Sequence, residues 1–146
     1  MDKAVKDFIA GKSFAVVGVS RNDKKFGSAI YTDLKDRGYT VYPVNPNLNE
    51  FNGSPCFANV GAINDKVDGV IVCVPTAKGE QVVKDTAAAG IKQIWLQQGA
   101  DSPELVKLAR SLNLNTVSGK CILMYLEPVK SFHAFHRFFA KLFGQA

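Results

Sequence analysis

The chain has 146 residues, 47% hydrophobic and 21% charged, a balance that suits one globular domain with a sizeable core and excludes a disordered chain. Its 18 Lys and Arg against 13 Asp and Glu leave a net charge of +5, gathered at both ends: residues 1–27 hold six basic side chains against three acidic, and residues 130–146 three against none. No apolar run approaches the roughly 20 residues of a membrane span, and the amphipathic N-terminus lacks the apolar stretch of a signal peptide. Three cysteines without metal-ligand spacing, Cys56, Cys73 and Cys121, argue for a reducing, cytoplasmic setting rather than a disulfide framework.

In chain order, residues 1–12 read as a helix that Asp2 caps and Gly11 ends, with Val5, Phe8 and Ile9 on one face. Phe14–Gly18 is a buried strand, followed by a polar turn and a helix with Ala29, Ile30 and Leu34 inward and Gly38 at its close. Tyr39–Val44 is the second strand. Pro43 sits awkwardly there, since it has no N–H to give a ladder, and its place near the strand's end makes it tolerable. Asn52-Gly53 marks a turn or hairpin within the turn-rich stretch 47–60. Val70–Val74 is the third strand, and a helix from about Thr76 turns Val82, Val83, Ala87 and Ala88 inward before Gly90 stops it. Ile94-Trp95-Leu96 is the fourth strand. Ser102-Pro103 starts a helix that runs to about Leu112, and Asn115–Ser118 is a short fifth strand. Residues 130–146 read as an amphipathic helix with Phe132, Phe135, Phe139, Leu142 and Phe143 along one stripe.

Short apolar strands alternating with helices predict a single domain over residues 1–146: a doubly wound, Rossmann-like parallel sheet of about five strands in three α/β/α layers. Such sheets bind ligands outside the carboxyl ends of their strands, so the residues just after each apolar run define the expected site. They are Gly18, Ser20, Arg21 and Asn22 with Lys24 and Lys25; then Asn45-Pro46; Pro75-Thr76; Gln97-Gln98-Gly99; and Gly119-Lys120-Cys121. These are small, amide, hydroxyl or basic residues. None of the runs ends in the Asp or Glu that proton transfer usually recruits, so the set reads as a binding site more than a reaction centre.

The first turn carries the strongest signal. Gly18 allows a ligand close to the backbone, Ser20 and the following helix N-terminus suit phosphate oxygens, and Arg21, Lys24 and Lys25 add positive charge. A solvated basic loop is the plainer reading of such a segment, and its position after the first strand of a doubly wound sheet favours the ligand. The turn is not the dinucleotide fingerprint, because Gly18-Val19-Ser20 lacks the second glycine. The second strand ends in Asn45 rather than an acidic residue for a ribose, which disfavours NAD, and no phosphate-loop lysine motif for ATP is present.

Three stretches carry a resemblance: Val17–Asn22, the tyrosine-rich second strand Gly38–Pro46 ending in Val-Asn-Pro, and Trp95-Leu96-Gln97-Gln98-Gly99, joined by Gly119-Lys120-Cys121. They resemble the coenzyme A-binding domain family, small Rossmann-like proteins similar to the N-terminal domain of the succinyl-CoA synthetase alpha subunit. The resemblance covers Ser13 to Cys121. It implies a site for coenzyme A or an acyl-CoA, with the phosphates at Gly18–Arg21. Asn45, Pro46, Pro75 and Thr76 would line the adenosine side, and Gln98, Gly99 and Cys121 would lie nearer the pantetheine arm. The chain departs from the synthetase in lacking the second domain that carries the phosphorylated histidine, so ligase activity does not transfer and a non-catalytic binding or regulatory module is expected.

An alternative is an enzyme acting on a CoA thioester or another nucleotide through Cys121 as nucleophile or a histidine of the C-terminal helix, His133 or His136, which would have to come within hydrogen-bond reach of Cys121. The plainer readings are an inert cysteine in a connecting turn and two histidines on a docking helix; two histidines also fall short of a metal site. The C-terminal stripe, with His133, Arg137 and Lys141 beside it, suits cover for a sheet face or a homodimer partner better than a membrane surface. Asp68, before the third strand, lies at the edge away from the ligand and reads as structural. No nucleic-acid reading motif accompanies the basic ends, so the expected partner is a small nucleotide cofactor.

Overall fold

The computed structural model describes residues 2–20, 26–63 and 65–126. It begins with α1 (Lys3–Ile9), β1 (Ser13–Val17), α2 (Phe26–Asp36) and β2 (Thr40–Val44), then a small hairpin of β3 (Glu50–Phe51) and β4 (Ser54–Pro55). There follow β5 (Gly69–Val72), α3 (Thr76–Ala88), β6 (Gln93–Gln97), α4 (Pro103–Ser111) and β7 (Asn115–Lys120). The longer strands form one five-stranded parallel sheet in the order β2-β1-β5-β6-β7. The fold is therefore the expected Rossmann-like α/β/α arrangement.

Position in the sheet explains each strand's composition. Phe14–Val17, Gly69–Val72 and Ile94–Gln97 are buried throughout because helices cover the central strands on both faces. One face packs α1, α2 and the 3₁₀ turn Ile122–Met124 over Phe14, Ile71, Trp95 and Val117. The other packs α3 and α4 over Val70, Val72, Ile94 and Leu96. Trp95 is fully buried and meets Phe8 edge-on, ring centres 5.3 Å apart, a geometry that adds about 0.5–1.5 kcal/mol to the burial itself.

The helix starts follow their caps: the Asp2 carboxylate accepts from Val5 N at 3.0 Å, and the Ser102 hydroxyl accepts from Leu105 N at 3.1 Å. Two details differ from the sequence reading. Pro43 is accommodated because β2 is an edge strand. Its carbonyl accepts from Phe57 N on the outer side, so its missing N–H faces away from β1. On α3, Ala88 is exposed, and Thr86 takes the inward place instead, fully buried with its hydroxyl donating to the Val82 carbonyl at 2.8 Å.

At the amino ends of the strands, Asp68 accepts from the backbone N–H groups of Lys12 and Ser13 at 2.8 and 3.1 Å. The bond from Lys12 above all holds its carboxyl below the ordinary value. Asp68 is thus the structural residue expected. Just past α2, buried Arg37 pairs with Asp33 of the helix at 2.7 Å and donates to the Leu126 carbonyl at 3.2 Å, which fixes the chain beyond β7 against the helix. Burial raises the Asp33 carboxyl while Arg37 opposes the rise. Among the described residues no helix is long and apolar enough to cross a membrane. The helix expected over 130–146 lies outside the described residues.

Candidate functional site

From β1 the chain order runs outward in two directions, to β2 on one side and to β5, β6 and β7 on the other. The connection after β1 passes to α2 on one face, and that after β5 passes to α3 on the other, so the two loops part at the carboxyl ends of β1 and β5. This is the switch point at which the sequence places the ligand.

Backbone packs against backbone there. Gly18 has φ 115°, and a Cβ on it would lie 2.9 Å from the Cys73 carbonyl carbon and oxygen. Both reasons demand glycine. A Cβ on Gly27, in the first turn of α2, would lie 2.5 Å from the Gly18 carbonyl oxygen, so the helix crosses the strand end with only hydrogens between them. Gly27 serves the close helix–strand packing that the sequence reading, intent on the missing second glycine, overlooked. Ser28 was missed as well. Nearly buried, its hydroxyl accepts from Ser20 N at 2.9 Å and donates to the Ser20 carbonyl at 2.7 Å, closing the turn onto the helix. Only the spacing of two serines eight residues apart hinted at it. Arg21, Asn22, Lys24 and Lys25 lie outside the described residues.

Asn45 makes two hydrogen bonds of its own at the site. Its amide nitrogen donates to the Val19 carbonyl at 2.7 Å and its Oδ1 accepts from Asn47 N at 2.7 Å. It thereby ties the turn after β1 to the turn after β2. Pro46 beside it is exposed, and the partly buried Cys56 thiol donates weakly to the Asn45 carbonyl at 3.8 Å. Pro75 and Thr76 are exposed at the start of α3, where Pro75 stands as the N-cap with no side-chain hydrogen bond. The first N–H groups of α3 are therefore not capped by that residue and favour a partial negative charge nearby.

Further along the same edge, Gln98 and Gly99 are exposed after β6, Gln98 N donating to the Lys120 carbonyl at 3.2 Å. Cys121 follows β7 but is only 1% exposed, within the core beneath the 3₁₀ turn. Burial raises its thiol, with the Gln97 amide pulling the other way. Cys73 is raised more strongly, again by burial first. A buried, protonated thiol is a poor nucleophile, and His133 and His136 lie outside the described residues. The strand ends thus bring together Gly18, Ser20, Asn45, Pro46, Pro75 and Thr76 around the switch point, with Gln98 and Gly99 one strand beyond β5 and Cys121 two. An open groove of about 620 Å³ between α4 and β7, lined by Asp101, Pro103, Lys107, Arg110 and Ser118 among others, lies instead along the outer sheet edge.

Comparison with known proteins gives this geometry a context. A family model described as a CoA binding domain matches residues 12–127. The ADP-forming acetate–CoA ligase of Methanocaldococcus jannaschii is 33% identical over 119 residues, which are 76% of this chain and 17% of that protein. The alpha subunit of the ADP-forming acetate–CoA ligase II of Pyrococcus furiosus is 27% identical over 79% of this chain and 28% of its own length. The chain thus spans well under a third of either relative. Among solved structures, a conserved hypothetical protein from Pyrococcus furiosus superposes with a TM-score of 0.76 at 35% identity, covering 80% of this chain and 100% of that one. The dinucleotide-forming acetyl-coenzyme A synthetase 1 of Ca. Korarchaeum cryptofilum, in complex with phosphate and ADP, gives 0.68 at 31% identity over 77% of this chain and 26% of its own.

Proposed function

Because the chain belongs to the CoA binding domain family, we propose that it binds coenzyme A or an acyl-CoA across the carboxyl ends of β1, β5 and β6, as a binding or regulatory module without chemistry of its own. The observation that carries this reading is the backbone approach at the switch point. The Gly18 turn is pressed against Cys73 and against Gly27 of α2, so the end of β1, the end of β5 and the start of α2 meet backbone to backbone at the switch point. Asn45 and Ser28 hold the two walls of that mouth in place before any ligand arrives, which reduces the ordering cost of binding. Arg21, Lys24 and Lys25 in the same loop supply the charge for a diphosphate. The raised, buried Cys121 thiol supports a module rather than a thiol enzyme.

The test is isothermal titration of the reduced protein with coenzyme A, with NAD and ATP as controls. Saturable heat with coenzyme A and little with the other two is expected. An Arg21→Ala, Lys25→Ala double variant should lose about 1–3 kcal/mol of binding energy. Absence of coenzyme A binding by the wild type would refute the reading.

A further inference from the structure

Gln97, the last residue of β6, is 1% exposed, and the orientation of its amide is decided by a neighbour. Ile122 N is a fixed donor 3.2 Å from Oε1, so a flipped amide would set two donors against each other. Nε2 must therefore point elsewhere, where it acts on the Cys121 thiol but makes no well-formed hydrogen bond. A buried donor left in this way is a standing cost that an acceptor would relieve.

The surroundings say what kind of acceptor fits. The register aligns Val72 with Leu96 and Gln97 with Lys120, so Cys73 and Cys121 flank Gln97 from the adjoining strands, all on the face of α2. Thiols are weak acceptors and do not compete with an oxygen for the amide. Burial keeps both protonated, and the carboxylate of Asp33 acts on Cys121 in the same direction. Asp33 is paired with buried Arg37, so the place carries no free cation to hold a phosphate or carboxylate and suits a neutral carbonyl. A carbonyl at the far end of a ligand held by its phosphates at Gly18 has two strand spacings to cross, roughly 10 Å.

We propose that Gln97 Nε2 donates to the thioester carbonyl of an acyl-CoA, making Gln97 the residue that distinguishes acylated from free coenzyme A. This inference rests on the coenzyme A site proposed above. The amide is closed off in the structure described, so an acyl group reaches it only if the sheet end opens beside the exposed Gln98–Gly99 turn.

The deciding experiment compares acetyl-CoA with S-ethyl-CoA, the thioether that replaces the carbonyl by a methylene, in titrations of the wild-type protein and of Gln97→Met. The wild type should bind acetyl-CoA about tenfold more tightly than the thioether, the worth of one neutral hydrogen bond relieving a buried donor. Gln97→Met should bind both alike. Equal wild-type affinities for the two ligands overturn the inference while leaving the coenzyme A site standing. A preference that survives in Gln97→Met overturns the assignment to this residue. If neither ligand nor coenzyme A itself binds the wild type, the site reading fails and this inference with it. Equal wild-type affinities overturn the inference even if the variant does not fold.

Discussion

Gly27→Ala probes the joint between α2 and β1 most directly. The added methyl would lie 2.5 Å from the Gly18 oxygen, 2.7 Å from its carbonyl carbon and 3.2 Å from Val19 N, whereas ordinary contact begins at 3.4 Å. All three neighbours are backbone atoms, so the helix must retreat by roughly 1 Å to clear them. That retreat strains the bonds of 2.9 and 2.7 Å between Ser28 and Ser20. Overpacking costs about 1–3 kcal/mol and a weakened hydrogen bond about 1 kcal/mol, against a gain of at most about 1 kcal/mol from helix propensity. The expected net loss is about 1–4 kcal/mol, or a fall in Tm of about 3–12 °C for a chain of this size. Urea unfolding with an unchanged slope measures it. Gly79→Ala on α3 is the control. Its methyl would come 2.6 Å from a terminal carbon of Leu105, a flexible side chain that can turn aside, so that variant should match or exceed the wild type. If Gly27→Ala is within about 0.5 kcal/mol of the wild type, the rigid backbone contact is not what holds the mouth of the site.

Two further outcomes follow from the titrating groups. Asp68→Asn should cost about 1–2 kcal/mol at neutral pH, since the bonds to Lys12 and Ser13 lose their charge. Because the native carboxyl is lowered from 3.8, its stabilisation is present above that value and lost as the pH falls through the lower native one. The gap between wild type and variant should therefore close in acid, and a gap that persists there would contradict the linkage. For the thiols, iodoacetamide should label Cys56, which is partly exposed, before Cys121, which should react only as the protein unfolds in urea. Native Cys121 labelled as fast as Cys56 would show that the thiol is open after all.

Much of this fold can be read from patterns a few residues long. The runs Phe14–Val17, Val70–Val72 and Ile94–Leu96 are apolar because central parallel strands are covered twice, and Asp2 and Ser102 announce their helices by local capping. The joints of the site were less legible because they form between segments. Gly27 matters only once α2 has come down on Gly18, and the bonds that tie Asn45 to Val19 and Asn47 join turns that are far apart in sequence or fixed only by the folded loop. Ala88 suited an inward place by composition, yet the helix turns Thr86 inward and satisfies its hydroxyl within its own turn. Gln97 carries no local sign of a vacant donor, which arises from the way Ile122 claims the other end of the amide.

The single tryptophan of the chain gives the site a built-in lamp. Trp95 is wholly out of water between Phe8 and Tyr125, and its indole N–H donates to the Lys120 carbonyl at 2.9 Å, one residue before Cys121. An indole in so dry a setting emits toward the blue, and its single polar contact is with the strand end nearest Gln97. Fluorescence from the unlabelled protein therefore reports whether that end of the sheet stays seated, and a spectral shift on ligand addition would be a local signal from one known ring.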